Sequence, residues 1–95
     1  QSLDDFMKNL KGYVNGEETF AMSEDHRQRH IGTFTTDYAK HFLELSDEKH
    51  EQEYLKGLIT MAEPLDVANG PLEYQEQQQL FEKLKDYVEV YVMDE

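Results

Sequence analysis

The decapeptide SEDHRQRHIG, residues 23–32, contains the side chains whose types and spacing come closest to a chemical signature. His26 and His30 are four residues apart, so on a helix their imidazoles lie on one face and could bind one metal ion. Arg27 and Arg29 are the two arginines of the chain and could form a basic contact patch. The same stretch has the pattern of an ordinary helix start, with its serine as the N-cap. These three interpretations make different demands on the rest of the structure.

A longer stripe of potential metal ligands follows if residues 24–45 form one helix, because positions three and four apart then align beside its apolar face. The stripe consists of His26, His30, Asp37, His41 and Glu44. At about 27 Å it offers at most two half-sites, the first two histidines and the last three residues. The other predicted helices lack the Glu-x-x-His pattern of di-metal bundles, and histidine is common at such borders because its ring is half polar. We therefore expect no bound metal and no other cofactor, and treat the stripe as a set of candidates.

The residues that other catalytic mechanisms need are absent or already occupied. The chain has no cysteine, and its three serines, Ser2, Ser23 and Ser46, stand in the pattern of helix N-caps. Neither a Gly-x-Ser-x-Gly turn nor a glycine-rich phosphate loop occurs. The sequence therefore predicts a protein that is not an enzyme.

Four amphipathic helices must position these side chains. Apolar residues recur at three and four positions in segments that cover approximately residues 3–15, 24–45, 47–63 and 71–93. Four such helices bury their apolar faces by packing around one core. We therefore predict an all-α, single-domain bundle over residues 1–95.

Several helix boundaries stay open at this point. Gly32 and Thr33 could break the second helix, since glycine is unfavourable in helix interiors and threonine prefers caps. Ser46 is predicted to cap the third helix, although a continuous kinked helix is the alternative because the junction is so short. Gly70 followed by Pro71 fits the first residues of the last helix.

The segments outside the helix faces carry further expectations. Residues 64–70 are predicted to be a linker rich in turn residues, and the run QEQQQ at 75–79 a solvated helix face. Residues 87–92 are β-branched in part, so a terminal strand is an alternative to helix. Phe20 and Met22, in a short connector, are expected to pack against the core.

The charge of the chain narrows the choice of partner. Twenty-one acidic side chains against nine basic ones give a net charge of −12, which repels phosphate backbones and anionic membranes. Arg27 and Arg29 are expected to offset nearby acids rather than to recruit a phosphate. No apolar run approaches the roughly 20 residues of a membrane helix. We expect a soluble, cytoplasmic protein with no direct nucleic-acid partner and no membrane association.

The acidity rises toward the C-terminus, where residues 64–95 carry eight acids and two bases, a balance of −6. Glu82, Asp86 and Glu89 fall on the outer face of the last helix, where like charges at these spacings repel each other. Such a row serves either solubility or a basic partner, and Tyr74 lies near its rim. These four residues are the predicted contact surface of a non-enzymatic module, regulatory, inhibitory or adaptor-like, that binds a basic protein.

Two alternatives to this function remain open, and self-association is also possible. The acidic surface could make the protein a partial DNA mimic that inhibits a nucleic-acid-binding protein. The histidine stripe could make it a metal-binding bundle. Six tyrosines, five phenylalanines and four methionines could exceed what one small core hides, which would favour a homodimer.

Overall fold

Four α-helices account for most of the chain that the structure, a computed structural model, describes, namely residues 2–17 and 23–91. They are α1 (Leu3–Val14), α2 (Glu24–Leu45), α3 (Lys49–Ala62) and α4 (Tyr74–Glu89), with two 3₁₀ turns, Glu63–Leu65 and Val67–Asn69, between α3 and α4. No strand occurs in the described ranges, and the predicted all-α bundle is confirmed. The alternative of a terminal strand is wrong for residues 87–91, of which 87–89 belong to α4. Residues 92 and 93, placed in the last helix by the prediction, lie outside the described chain, as do Phe20 and Met22.

Side chains with oxygen acceptors cap the first three helices. Ser2 accepts a hydrogen bond from the Asp5 amide (3.1 Å) and Ser23 accepts one from the His26 amide (3.3 Å), as their positions in the sequence predict. In both helices acidic side chains occupy the first turn, where the helix dipole favours negative charge.

The predicted cap of α3 is wrong. Ser46 ends α2, and Glu48 is the N-cap of α3, accepting hydrogen bonds from the amides of His50 (3.1 Å) and Glu51 (2.8 Å). These two bonds lower the pKa of the Glu48 carboxyl, and a charged acceptor that takes two amide protons is a stronger cap than one hydroxyl. Ser46 and Glu48 both have extended backbones, with ψ values of 134° and 125°, so the alternative of one kinked helix is also wrong.

The helix α2 runs unbroken through Gly32 because this glycine lies against the first 3₁₀ turn. A Cβ at Gly32 would come within 2.8 Å of the carbonyl carbon of Leu65, which is fully buried. Thr33 does not cap a second piece of helix. Its hydroxyl donates to Asp66 Oδ1 (3.0 Å) and accepts from the Val67 amide (3.2 Å). Gly32 and Thr33 therefore attach the segment between α3 and α4 to α2.

The start of α4 is also different from the prediction. Gly70 does not open the helix; it ends the second 3₁₀ turn with a φ of +84°, a conformation that glycine adopts without steric cost. Pro71 and the two residues after it are extended or irregular, and α4 begins at Tyr74. The predicted helix over 71–93 therefore begins three residues too early.

One apolar core joins the four helices and the first 3₁₀ turn. Its members have at most 8% of their surface exposed: Phe6, Met7, Leu10, Val14, Ile31, Ala39, Phe42, Leu55, Leu58, Ala62, Leu65, Phe81, Leu84 and Val88. The ring of Phe6 lies 5.5 Å from those of Phe34 and Phe42 and 5.6 Å from that of Tyr38, so aromatic packing fixes α1 on α2. Leu45, at the end of α2, is not part of this core and is 68% exposed.

A pair of tyrosines closes the contact between α3 and α4. The rings of Tyr54 and Tyr87 stack with centroids 4.7 Å apart, and each hydroxyl donates to the other residue's carbonyl oxygen, at 3.1 and 2.8 Å. Burial raises the pKa of both phenols. Gly57 makes room for the Tyr87 ring, since a Cβ at this position would lie 2.7 Å from its Cζ.

Replacement of Gly32 by alanine should lower the free energy of unfolding by about 1–3 kcal/mol, because the added methyl group would overlap the Leu65 backbone. The opposing gain in helix propensity is at most about 1 kcal/mol. Urea unfolding followed by far-UV circular dichroism measures the change.

Gly12→Ala is the matched control, since Gly12 also lies inside a helix but its Cβ would be an unstrained 3.9 Å from that of Glu17. This variant should be as stable as the wild type or slightly more stable. Wild-type stability of Gly32→Ala would show that the close approach of α2 and Leu65 does not hold the bundle together.

Candidate functional site

The stretch of residues 23–32 forms the beginning of α2 and borders an open groove of about 630 Å³. The other wall of the groove is formed by residues 67–71 of the connection between α3 and α4. Helix α2 contributes Asp25, His26, Arg29 and His30 to the lining, and the opposite wall contributes Val67 and Pro71. We call this feature the α2–linker groove. Its size is within the range typical of small-molecule sites.

Arg27 points away from this groove and holds the helices together. Its Nε and one terminal nitrogen donate to the Glu24 carboxylate, both at 2.9 Å, and the other terminal nitrogen donates to the Tyr13 carbonyl at 2.6 Å. Its guanidinium carbon lies 5.3 Å from the centroid of the Phe81 ring. One side chain of α2 therefore binds the end of α1 and packs on α4, and the expectation that Arg27 offsets a nearby acid is confirmed.

Arg29 behaves differently, although it is only two residues away. It donates to the Gly70 carbonyl oxygen (2.5 Å), which ties α2 to the opposite wall of the groove. Within the described residues no carboxylate oxygen lies within the 4.0 Å of an ion pair from its guanidinium. Asp25, which lines the same groove, is hydrogen-bonded to Gln77 instead of to Arg29, so the expectation that Arg29 offsets a nearby acid stays a prediction.

Asp25 is engaged by a glutamine of α4. The Gln77 amide nitrogen donates to the Asp25 carboxylate (2.8 Å) and to the side-chain oxygen of Gln28 (3.2 Å), and Gln28 in turn donates to Glu24 (2.9 Å). Gln77 is 0% exposed, so the expectation that residues 75–79 are a purely solvated face is wrong at this position. Its spacing with the buried apolar residues of α4, four before Phe81, was the signal that could have revealed its burial.

The remaining members of the histidine stripe lie further along α2. Asp37, His41 and Glu44 are all exposed, and Asp37 and His41 line a second open depression of about 310 Å³ with Tyr38. The unbroken helix keeps the five stripe residues in one register, as the metal interpretation requires. Within residues 2–17 and 23–91, however, no three His, Asp or Glu side chains come together in a geometry that could hold a metal ion.

The predicted contact surface on α4 is exposed. Glu82, Asp86 and Glu89 all face away from the core, and Tyr74 is 51% exposed in the first turn of the same helix. At about 100° per residue, these four side chains lie on one half of the helix circumference. We call them the acidic α4 face.

The members of the acidic α4 face differ in their contacts. Glu89 accepts a hydrogen bond from the Asn15 amide group (2.5 Å), and the Tyr74 hydroxyl accepts one from Gln78. In the part of the chain that the structure describes, the carboxylates of Glu82 and Asp86 form neither a hydrogen bond nor an ion pair. Two of the three acids therefore carry charges that no side chain in the described ranges neutralises.

Acidification should remove the contribution of the Glu24–Arg27 interaction. The hydrogen bond from Arg27 lowers the pKa of the Glu24 carboxyl, and that from Gln28 acts in the same direction, while burial opposes both. A folded-state pKa below the unfolded-state value stabilises the fold above the unfolded pKa, and this stabilisation is lost as the pH falls through the folded pKa. Between about pH 7 and about pH 3, the free energy of unfolding should therefore fall less for Glu24→Gln than for the wild type, as measured by urea unfolding at each pH.

Glu53→Gln is the control for this experiment, since Glu53 is exposed and forms no hydrogen bond or ion pair with the described residues. It should follow the wild-type pH profile more closely than Glu24→Gln does. Identical profiles for Glu24→Gln and the wild type would mean that the ion pair adds nothing to stability, which is the case for many exposed ion pairs.

In the described part of the chain, no helix combines the length and the apolar character that crossing a membrane requires. No protein-family model, no curated protein and no solved structure matches this chain.

Proposed function

We propose that this protein is a small non-enzymatic module that regulates, inhibits or bridges another protein by presenting the acidic α4 face to a basic surface. The observation that carries the proposal is the exposure of Glu82 and Asp86 without any neutralising partner in the described residues. Charged side chains on the rim of an interface steer a partner of opposite charge and select against others.

The energetic cost of this face supports the proposal. Glu82, Asp86 and Glu89 are four and three residues apart, so each carboxylate repels the next by a few tenths of a kcal/mol. Two lysines, Lys83 and Lys85, belong to the same helix, yet neither forms an ion pair within the described chain. The helix keeps a repulsive row exposed although cations are available to neutralise it. A basic partner surface would relieve that repulsion.

The rigidity of α4 also suits a binding surface. Phe81, Leu84 and Val88 are buried on its inner side, and the helix is stacked on α3 through Tyr87. A helix held in this way presents its carboxylates in one arrangement, so little conformational entropy is lost when a partner binds. Tyr74, half exposed at one end of the row, provides the aromatic contact that interfaces commonly use as an anchor.

Reversal of three charges tests this surface. The triple variant Glu82→Lys, Asp86→Lys and Glu89→Lys should bind its partner at least about tenfold more weakly, because attraction becomes repulsion at every position. Partners captured from extracts of the source cells by the immobilised wild type are identified by mass spectrometry, and the affinity of each purified partner is then measured for every variant. Far-UV circular dichroism verifies that the variant remains helical.

The matched control reverses three exposed acids elsewhere, Glu44, Asp47 and Glu53, and so changes the net charge by the same amount. It should retain the wild-type affinity, and that affinity should fall as salt is raised. Equal weakening of both triple variants would mean that the partner responds only to the net charge of the protein. Equal binding by the α4 variant and the wild type would reject this face as the contact surface.

A further inference from the structure

Arg29, in the α2–linker groove, forms no ion pair with any described residue. It has five N–H donors, of which the fold uses one for the Gly70 carbonyl. This is unexpected in a chain with a net charge of −12. The carboxylate of Asp25, which lines the same groove, is hydrogen-bonded to Gln77 of α4 at 2.8 Å rather than to this guanidinium. The groove therefore holds an unused planar donor suited to a phosphate or carboxylate group.

A further donor lies beside this arginine. His26 lines the same groove, three residues before Arg29 on α2. A neutral imidazole carries one N–H donor in either tautomer, so an anion bound to Arg29 has one additional donor within the groove lining.

The opposite wall of the groove is apolar. Val67 is 57% exposed, and Pro71 lies further along the same wall. An anionic group at Arg29 would place the rest of a small organic molecule along these two side chains. Inorganic phosphate would leave this wall in contact with water.

The groove is held open by contacts that do not involve a ligand. The Thr33 hydroxyl bonds both Asp66 and the Val67 amide, and Asp66 also accepts from the Ala68 amide (3.0 Å). Gly32 lets Leu65 pack directly on α2, which fixes the start of the connection that carries the apolar wall. A site whose walls are fixed in advance loses less entropy on binding.

We propose that the α2–linker groove is a binding site for a small organic anion, in which Arg29 binds a phosphate or carboxylate group and Val67 and Pro71 contact an apolar body. This site is separate from the acidic α4 face and does not depend on the function proposed for that face.

Titration of the full chain with four probes tests this site. Phenyl phosphate and phenylacetate combine an anion with an apolar ring, inorganic phosphate lacks the ring, and benzyl alcohol lacks the charge. Chemical-shift changes of the Arg29 side-chain N–H and the Val67 amide in ¹H–¹⁵N spectra report binding. At least one of the two organic anions should bind saturably and about tenfold more tightly than inorganic phosphate or benzyl alcohol. Binding of only one of them would show whether Arg29 selects phosphate or carboxylate. Binding of both would show that the groove accepts either anionic group.

Three variants locate the site. Arg29→Gln removes the charge but keeps an amide donor for Gly70, and should weaken the organic anion about tenfold. Val67→Glu adds a repelling carboxylate at an exposed position and should weaken it similarly even if Arg29→Gln is poorly folded. Lys56→Gln removes an exposed cation from α3 and should leave the affinity unchanged.

Three results would overturn the proposal: no saturable binding of either organic anion, equal affinities for phenyl phosphate and inorganic phosphate, or wild-type affinity in Val67→Glu. The first would show that the groove binds no anion. The second would show that the apolar wall is not used, and the third that the anion binds elsewhere on the protein.

Discussion

The direct packing of Leu65 on Gly32 is the contact on which the rest of the arrangement depends. It brings the backbone of the α3–α4 connection against the middle of α2, where any side chain at Gly32 would collide with it. Leu65 is thereby buried in the core, and the neighbouring Asp66 reaches Thr33. A glycine that looks like a helix breaker in the sequence is tolerated because the packing it permits exceeds the roughly 1 kcal/mol that it costs the helix.

The two arginines show how one helix serves both the fold and its surface. Two residues along a helix correspond to about 200° of rotation, so Arg27 and Arg29 leave α2 on nearly opposite sides. The inward one binds Glu24 and the end of α1 and lies over Phe81. The outward one reaches Gly70 across the α2–linker groove. Their identical chemistry therefore has different consequences, decided by what the neighbouring elements place beside each guanidinium.

The strong negative charge of the chain is distributed unevenly over these surfaces. Within the described residues, the acidic α4 face carries carboxylates that no lysine neutralises, and the groove on α2 carries an arginine that forms no ion pair. The carboxylate of Asp25, in the same groove, is hydrogen-bonded to Gln77 of α4.

The sequence by itself determined the four helices, the capping of α1 and α2 by Ser2 and Ser23, and the exposure of the acidic α4 face. All of these depend on interactions between residues three or four apart, which can be read directly from the order of the residues. It also placed His26, His30 and both arginines near one helix start. It did not reveal the groove that His26, Arg29 and His30 line.

The tertiary structure alone decided the continuity of α2, the late start of α4, the burial of Gln77 and the wall formed by Val67. Each of these depends on contacts between residues more than thirty positions apart, such as Gly32 with Leu65 and Asp25 with Gln77. Local propensity favours a break at a glycine and solvation of a glutamine. Packing overrides both preferences, because burying the apolar core fixes which backbone segments meet, and the buried amide nitrogen of Gln77 then finds its partner in Asp25.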